Sequence, residues 1–479
     1  MAMGRNIRVW HKPDVQPYSV LVEQRGVETF LLLQSQAILD ISAEEGERIK
    51  PGYTKLCDAY GILGNLRLSS GERVLHFLCL VTGELEMQST EGAMSHSLIP
   101  FPDYSGTVSC GKLGGGEVYR INDVKMISLR GYSPDEELSK VVEVRKLFCG
   151  GGSYFSWSSL GPSHAIDLTM SAQKQYRFPN KSDGRFFWNR MLHLPYIRSG
   201  ADTSSWLLRV MFGSVEIRTV YVGSKQARAA VISRLSSERA GTRFCVRGVD
   251  DDGHVANFVE TEQLITLDES SSSFMQIRGS VPLFWEQPGV NVGSHKIRIS
   301  RGPELSAPAF DSHFRQLKAL YGDIIIMNLL GSCLVGSKEG EATLSTAFQT
   351  HQKSSPHTDV PHILWDFHSE GGHKNIDRLD RKVAKYAEQL DFFHKAGPSV
   401  TKKQTGVIRT NCTDCLDRTN AVQAHIGIKI LTHQLARMKL DQKENIVSRF
   451  QDGFKQMWIN NGNTLSKLYA GTAALCSVD

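Results

Sequence analysis

The chain has 479 residues, 41% of them apolar and 22% charged, with a formal net charge of +5. That length supports two or three ordinary domains, or one large one with an appendage, around a sizeable core. The mild charge excludes the concentrated basic stripe of a nucleic-acid binder and remains compatible with anionic lipid headgroups. Nine cysteines, an odd number without a repeating framework, fit a reducing compartment better than a secreted disulfide scaffold. Met1 to Lys12 has no signal-peptide apolar stretch, and the strongest apolar run, Ile324 to Leu330, is too short to cross a bilayer. The expectation is a cytosolic protein with peripheral membrane contact.

Along the chain, Val20–Val22, Phe30–Leu33 and Leu75–Val81 read as strands, with a short charged helix at Glu44–Lys50. Glu84 to Gly116 is rich in glycine and serine and reads as a long surface loop. Strand-like Val118–Ile121 follows. Next comes a helix over Glu136–Phe148, with Leu138, Val141, Val142 and Leu147 as its apolar residues. Polar Gln173 to Gly184 marks a candidate domain boundary. Beyond it lie aromatic Phe186–Trp188, β-like runs at Leu207–Met211 and Val215–Val222, and a turn over Asp268 to Ser273. A helix over Phe310–Tyr321 leads into the buried strand Ile324–Leu330, the alternation of an α/β domain. Ile376 to Ala396 is helical and charged.

Chemistry concentrates in Thr405 to Gln434. Thr405–Thr410 reads as a strand and Asn411–Thr419 as a polar loop. From Asn420, the spacing of Val422, Ile426 and Ile430, with Leu431 and Leu435, predicts a helix. Backbone N–H groups at such a helix start have no intrahelical partners, and the helix dipole favours anions, so the loop is a natural phosphate cradle. Five residues lie between Cys412 and Arg418 in it. A thiolate is a good nucleophile toward a phosphate monoester, and an arginine fork grips two phosphoryl oxygens. Thr419 can hydrogen-bond the sulfur, and Asp414 or Asp417 can protonate a leaving oxygen. The spacing alone arises by chance in about two chains in five of this composition.

The full string Arg409–Asn420, RTNCTDCLDRTN, resembles the signature RxNCxDCLDRTN of Sac-domain phosphoinositide phosphatases. Glu238–Gly248 (ERAGTRFCVRG), Asp251–Gln263 (DDGHVANFVETEQ) and Arg278–Gln287 (RGSVPLFWEQ) resemble further Sac motifs, and the likeness covers nearly the whole chain. Gly293–Gly302 with Ala307–Phe314, and Trp458–Thr472, resemble one branch of that family. The resemblance implies an α/β fold: a β-rich Sac N-terminal subdomain, set here at 1–182, then a larger α/β catalytic subdomain with a mixed sheet at 183–479. It also implies metal-independent hydrolysis, without cofactor, of the 3- and 4-phosphates of phosphatidylinositol monophosphates and of the 3,5-bisphosphate. Carried over by position, Cys412 is the nucleophile and Arg418 the phosphate-binding arginine. Asp414 is first choice as general acid, by similarity to the related myotubularin loop, and Asp417 the alternative. Asn411, Thr413, Cys415 and Leu416 in the loop, and Lys402 and Lys403 just before the strand, are candidate substrate contacts. The account needs the Cys412 sulfur open to an inositol headgroup. Implied partners are phosphoinositide lipid and an anionic membrane surface, with no nucleic acid. Members of that branch continue into an inositol 5-phosphatase domain and a proline-rich tail, which can engage endocytic proteins, and they act at endocytic sites of nerve terminals.

The stretch around Glu84–Gly106 is longer than the resemblance predicts, Cys333–Ser337 reads as a small insertion, and Asn463 stands where many Sac proteins have aspartate. Blander readings cover the remaining polar clusters. Cys412-x-x-Cys415 lacks further ligands at zinc spacing, since His425 and His433 fall on the helix, so Cys415 is read as a small loop packer. Glu260 and Glu262 share a strand face and are expected to pair with Arg239, Arg243 or Arg247. Asp250–Asp252 could bind a cation, and a solvated turn explains it as well. His368, Phe284 and Trp285 read as core residues. Lys296, Arg298 and Arg301 alternate along an edge strand, facing either acidic lipid or solvent.

Overall fold

The computed structural model describes residues 3–474, apart from 13–17, 28, 35–36, 71–72, 83, 88–105, 130–137, 160, 162–163, 180, 244, 288–296, 333–338 and 368. The chain is mixed α/β and forms two compact units, Met1–Thr169 with Ser182–Phe212, and Met170–Lys181 with Gly213–Asp479.

The first unit is β-rich. An antiparallel sheet runs in the order Ile38–Ile41, Thr29–Leu33, Ser19–Gln24, Ile7–Lys12, Thr54–Ala59. A second sheet orders Val124–Ser128, Arg73–Val81 and Gly61–Ser70. Their inward residues are branched and aliphatic: Val9, Val20, Val22, Leu31, Leu33, Leu78 and Leu80 form one buried cluster. Each such side chain contributes about 1.5–3 kcal/mol on leaving water. The short helix Ala43–Ile49 is where the charged pattern put it, capped by Ser42, whose hydroxyl accepts from Glu45 N at 3.2 Å. Part of the presumed loop at Glu84–Gly116 is instead strand: Glu84–Met87 pairs in parallel with Gly106–Leu113, which pairs with Gly116–Arg120. Pairing supplies what the glycine- and serine-rich composition does not, and the residues between 88 and 105 lie outside the described set. The helix Leu138–Cys149 exists, but Val142 and Leu147 are 37% and 42% exposed while Phe148 is buried, so its inner face is Val141, Val144 and Phe148.

The second unit is built on a mixed sheet. From one edge the strands run His362–Leu364, Asp323–Asn328, Gly406–Asn411, Ser270–Gly279, Val259–Leu267, Lys225–Leu235 and Met211–Val222. The first four are mutually parallel and the rest pair antiparallel. Gly406–Asn411 is buried at every residue, as a central parallel strand covered on both faces must be. Only Asp268 and Glu269 turn; Ser270–Ser273 belong to a strand, with Ser271, Ser272 and Ser273 buried. Their hydroxyls find interior partners: Ser273 donates to Glu262 Oε1 at 2.5 Å, and Ser272 Oγ accepts from Gln434 Nε2 at 3.1 Å. The run at Leu207–Met211 is not a separate strand, because one strand covers Met211–Val222. Polar Gln173–Gly184 contains the helix Ala172–Arg177, and the end of the charged Ile376–Ala396 stretch is a strand, Phe393–Ala396.

Two long helices, Asp417–Arg437 and Glu444–Ala470, complete this unit. The first is buried on two sides. Val422, Ile426 and Ile430 pack with Phe274, Ile325, Met327, Trp365 and Ile408, while Leu431 and Leu435 pack with Val231, Ile265, Phe450, Phe454 and Trp458. Gly427 permits this approach, since a Cβ there would lie 2.9 Å from both Gln263 Oε1 and the Trp458 ring.

Candidate active site

The strand Gly406–Asn411 runs one residue further than its composition suggested, and the helix starts at Asp417 rather than Asn420. Asn411 is held opposite Asn328 and Gly279 in the parallel register, which extends the strand. Asn420 N closes the first helical bond on Leu416 O at 2.7 Å, and Asp417 in the first turn suits the helix dipole. The loop is therefore Cys412–Leu416, and Asp417, Arg418 and Thr419 project from the helix. Leu416 makes no side-chain cap, so the helix start keeps its N–H donors. The loop leaves the carboxyl end of a parallel strand beside Leu329, whose N–H reaches Asn411 O at 2.9 Å. Ligand crevices of open α/β sheets form at such strand ends.

Cys412 is 2% exposed and lies against the apolar cluster beneath the helix. This overturns the expectation of an open sulfur: the strand delivers the side chain to the floor of the loop. Cys415, also buried, adopts φ +53°, and its Sγ lies 3.4 Å from Cys412 O. Burial pushes the Cys415 thiol up to about 12, which leaves it an inert packing group. Thr419 is fully buried and its hydroxyl has no hydrogen-bond partner, as is true of both amide atoms of Asn411.

Four guanidinium groups surround the loop. Arg418 Nη1 donates to Glu341 Oε2 (2.9 Å) and Leu329 O (3.3 Å), and Nη2 to Glu341 Oε1 (2.7 Å) and Thr413 Oγ1 (2.9 Å). Glu341 also accepts from Gly331 N at 3.0 Å and from the Thr413 hydroxyl at 3.2 Å. Burial opposes the charge on Arg418, but the Cys412 sulfur and Glu341 outweigh it and raise its pKa above the ordinary value. Arg247 forms an ion pair with Asp414 at 2.5 Å and donates to Thr413 O at 3.0 Å. Fully buried Arg278 ties the loop to the helix, donating to Cys415 O (3.1 Å), Asn420 Oδ1 (2.5 Å) and Gln423 Oε1 (2.9 Å). Arg409 reaches His313 Nε2 (3.2 Å) and Ser280 O (2.8 Å). Burial lowers both Arg278 and Arg409 to about 10, so both stay cationic near neutral pH. Asn257 Nδ2 completes the frame with a bond to Asp414 O at 3.0 Å.

The structure thus brings Asn411, Cys412, Thr413, Asp414, Cys415, Leu416, Asp417, Arg418 and Thr419 together. Lys402 and Lys403 stand apart: they precede a strand that runs away from them, roughly 20 Å from the loop. Lys402 is paired with Asp391 at 2.9 Å. Glu260 and Glu262 pair not with the expected arginines but with Arg234, and Glu260 also with Lys174 at 2.9 Å. Arg298 and Arg301 pair with Glu286 and Asp251. Phe284 and Trp285 are buried as expected, and Asp250–Gly253 forms the expected turn. His368, Lys296 and Cys333–Ser337 lie outside the described residues. Sequence reasoning missed Glu341, Arg278, Asn257 and the role of Arg247. The last three sit inside motifs quoted above. Glu341 carries no local signal.

Parallel strand, tight loop and helix, with a cysteine at the floor and guanidinium groups around it, make an α/β protein with a candidate anion site at the helix start. The chain belongs to the SacI homology domain family, whose model matches residues 60–371, a span that ends before the loop. Over 480 residues it is 49% identical to Synaptojanin-1 of Homo sapiens, covering 99% of this chain and 28% of the relative. It is 44% identical to Synaptojanin of Caenorhabditis elegans, covering 98% of this chain and 39% of the relative. It is 33% identical to Phosphoinositide phosphatase SAC6 of Arabidopsis thaliana over 77% of this chain and 63% of the relative. The chain therefore spans about a third of the synaptojanin relatives it matches.

Proposed function

We propose that the chain is a phosphoinositide phosphatase in which Cys412 attacks phosphorus. The S–P bond forms as the P–O bond to inositol breaks, and Asp414 or Asp417 delivers a proton to the departing oxygen. Water then hydrolyses the cysteinyl phosphate. Arg418 and the N–H groups at the helix start hold the phosphoryl oxygens, Thr419 Oγ serves the sulfur, and Asn411, Thr413, Cys415 and Leu416 shape the cradle. The observation that carries this reading is the Cys412–Arg418 loop at the carboxyl end of a central parallel strand. A thiolate formed there faces guanidinium charge, since both Arg418 and Arg278 couple to Cys412.

Substrate binding involves an exchange. Of the five N–H donors of a guanidinium, the four on Nη1 and Nη2 of Arg418 are engaged by protein acceptors. A phosphate entering the loop takes over donors that Glu341 now holds. The substrates are phosphatidylinositol 4-phosphate, 3-phosphate and 3,5-bisphosphate, and no metal takes part. Action at a membrane surface is peripheral: no helix among the described residues is long and apolar enough to cross a membrane. The synaptojanin likeness supports a role in vesicle endocytosis and uncoating at nerve terminals.

A second reading, a catalytically silent phosphoinositide-binding module, is favoured by the 2% exposure of Cys412. Phosphate release from phosphatidylinositol 4-phosphate vesicles separates the two. Cys412→Ser should lower turnover at least about 10⁴-fold while leaving the melting temperature unchanged. A chelator should leave the wild type unaffected. Release that survives the substitution sinks the mechanism, and a wild type that binds vesicles without releasing phosphate establishes the silent module.

A further inference from the structure

Beside the loop, three arginines share one pocket. It encloses about 330 Å³ and is lined by Arg239, Arg243, Arg247, Trp285, Gln287 and Ser300, among others. The carboxylate in its lining is Glu286, which is paired with Arg298 at 3.0 Å. The lining therefore holds more cationic than anionic side chains. Arg247 is paired with Asp414 of the loop, outside this lining, and three guanidinium groups gathered in one cavity still favour an anion that enters. Arg247 adds a second observation. Its side chain is 7% exposed, and its Nε is buried without a hydrogen-bond partner. Buried N–H groups are nearly always satisfied, so an unsatisfied one on a side chain that lines a cavity points to an acceptor supplied from outside.

The rest of Arg247 is fixed. Its Nη1 holds Asp414 and Thr413 O, its Nη2 donates to Gln287 Oε1 at 2.7 Å, and its guanidinium lies 5.5 Å from the Trp285 ring centroid. One guanidinium thus touches both the phosphate loop and the pocket. The volume sits at the small end of ligand sites, enough for a phosphate with part of a ring.

We propose that this pocket binds a second phosphate group of the same inositol phosphate whose other phosphate meets Cys412. The ligand chemistry is a phosphate ester on the inositol ring, either a further monoester or the diester that joins the ring to lipid. Free phosphate shares that chemistry. The proposal rests on the reading of the loop as an inositol-phosphate site, and it makes Arg243 and Arg247 specificity determinants.

The experiment uses the whole chain carrying Arg243→Gln or Arg243→Lys, since half-buried Arg243 lies outside the catalytic loop. Binding of inositol 1,4-bisphosphate and of inorganic phosphate is measured by calorimetry in the Cys412→Ser background. Hydrolysis of short-chain phosphatidylinositol 4-phosphate and of p-nitrophenyl phosphate is measured with Cys412 intact. Arg243→Gln should weaken inositol bisphosphate binding, and raise KM for the lipid, at least about tenfold. Hydrolysis of p-nitrophenyl phosphate, which offers no second phosphate, should not change, and Arg243→Lys should recover much of the loss. Arg243-dependent binding of inorganic phosphate would show that the pocket accepts a free anion. Dependence confined to the bisphosphate would show that it needs the ring; either supports the pocket. Lipid handling that Arg243→Gln leaves untouched, or an equal loss on both hydrolytic substrates, overturns it. Should the wild type cleave neither substrate while the Cys412→Ser chain binds the bisphosphate through Arg243, the phosphatase reading falls and the pocket stands.

Discussion

The interiors of the two units are built from different materials. Among the described residues, the buried side chains of the first unit are mostly apolar, and its one buried carboxylate, Glu23, lies at the rim of a sheet where Lys50 and Trp10 reach it. The second unit buries Arg234, Arg247, Glu260, Glu262, Arg278, Asp366 and Arg409. A charge leaves water at a cost of several kcal/mol even after relaxation, so each must be matched by partners in the fold. The first interior is held by area, where neighbours can give a little. The second is held by directed contacts, where geometry is exacting. The Cys412–Arg418 loop sits on the second kind, and the proposed roles of nucleophile and arginine fork require positions fixed to a fraction of an ångström.

The sharpest way to break this contrast is to orphan one buried charge. Glu262 accepts from Arg234 Nη2 at 2.7 Å, from Ala172 N at 2.8 Å and from Ser273 Oγ at 2.5 Å. Glu262→Ala leaves those donors in a dry interior and should cost roughly 3–5 kcal/mol. Urea denaturation checks it, and a loss below about 1 kcal/mol would show that water satisfies these groups. The matching change in the first unit is Leu31→Ala, in the aliphatic cluster with Val9 and Val22. It should cost about 3 kcal/mol through transfer and cavity. At a temperature where the chain stays folded, KM for phosphatidylinositol 4-phosphate should match the wild type. A raised KM would mean that the apolar unit positions the site after all.

The same contrast explains what the sequence revealed. Val20–Val22, Phe30–Leu33 and Ile324–Leu330 were legible because an aliphatic run both forms and buries its own strand. The strand, loop and helix around Cys412 were legible because those residues are contiguous and the helix announces itself by its apolar period. Ser270–Ser273 misled because serines usually mark turns, and only the distant Glu262 and Gln434 make a buried serine strand tolerable. Glu341 was invisible for the same reason: it meets Arg418 at a sequence separation of 77, and no local pattern encodes that meeting. Directed contacts between distant residues leave no periodicity, so the polar interior is the part that sequence reading finds last.

Glu341 offers the smallest effect and the one that ties the contrast to catalysis. Burial alone would raise its carboxyl pKa, but the Arg418 guanidinium, Gly331 N and the Thr413 hydroxyl outweigh burial and hold it below its ordinary 4.5. A folded value below the unfolded one means that the pair stabilises the chain fully above pH 4.5. The contribution then fades as pH falls through the folded value. Glu341→Gln should therefore lower stability by about 1.5–3 kcal/mol at pH 7, and the difference from wild type should be smaller at an acid pH below 4.5. Denaturation at the two pH values, with unchanged slope, tests the sign. Because the same carboxylate competes with phosphate for Arg418, the variant should also bind inorganic phosphate about tenfold more tightly, provided the fork keeps its orientation through Thr413 and Leu329. Weaker phosphate binding in Glu341→Gln would mean that the carboxylate aims the guanidinium rather than occupying it, and Glu341 would then join the residues that hold the substrate's oxygens in place.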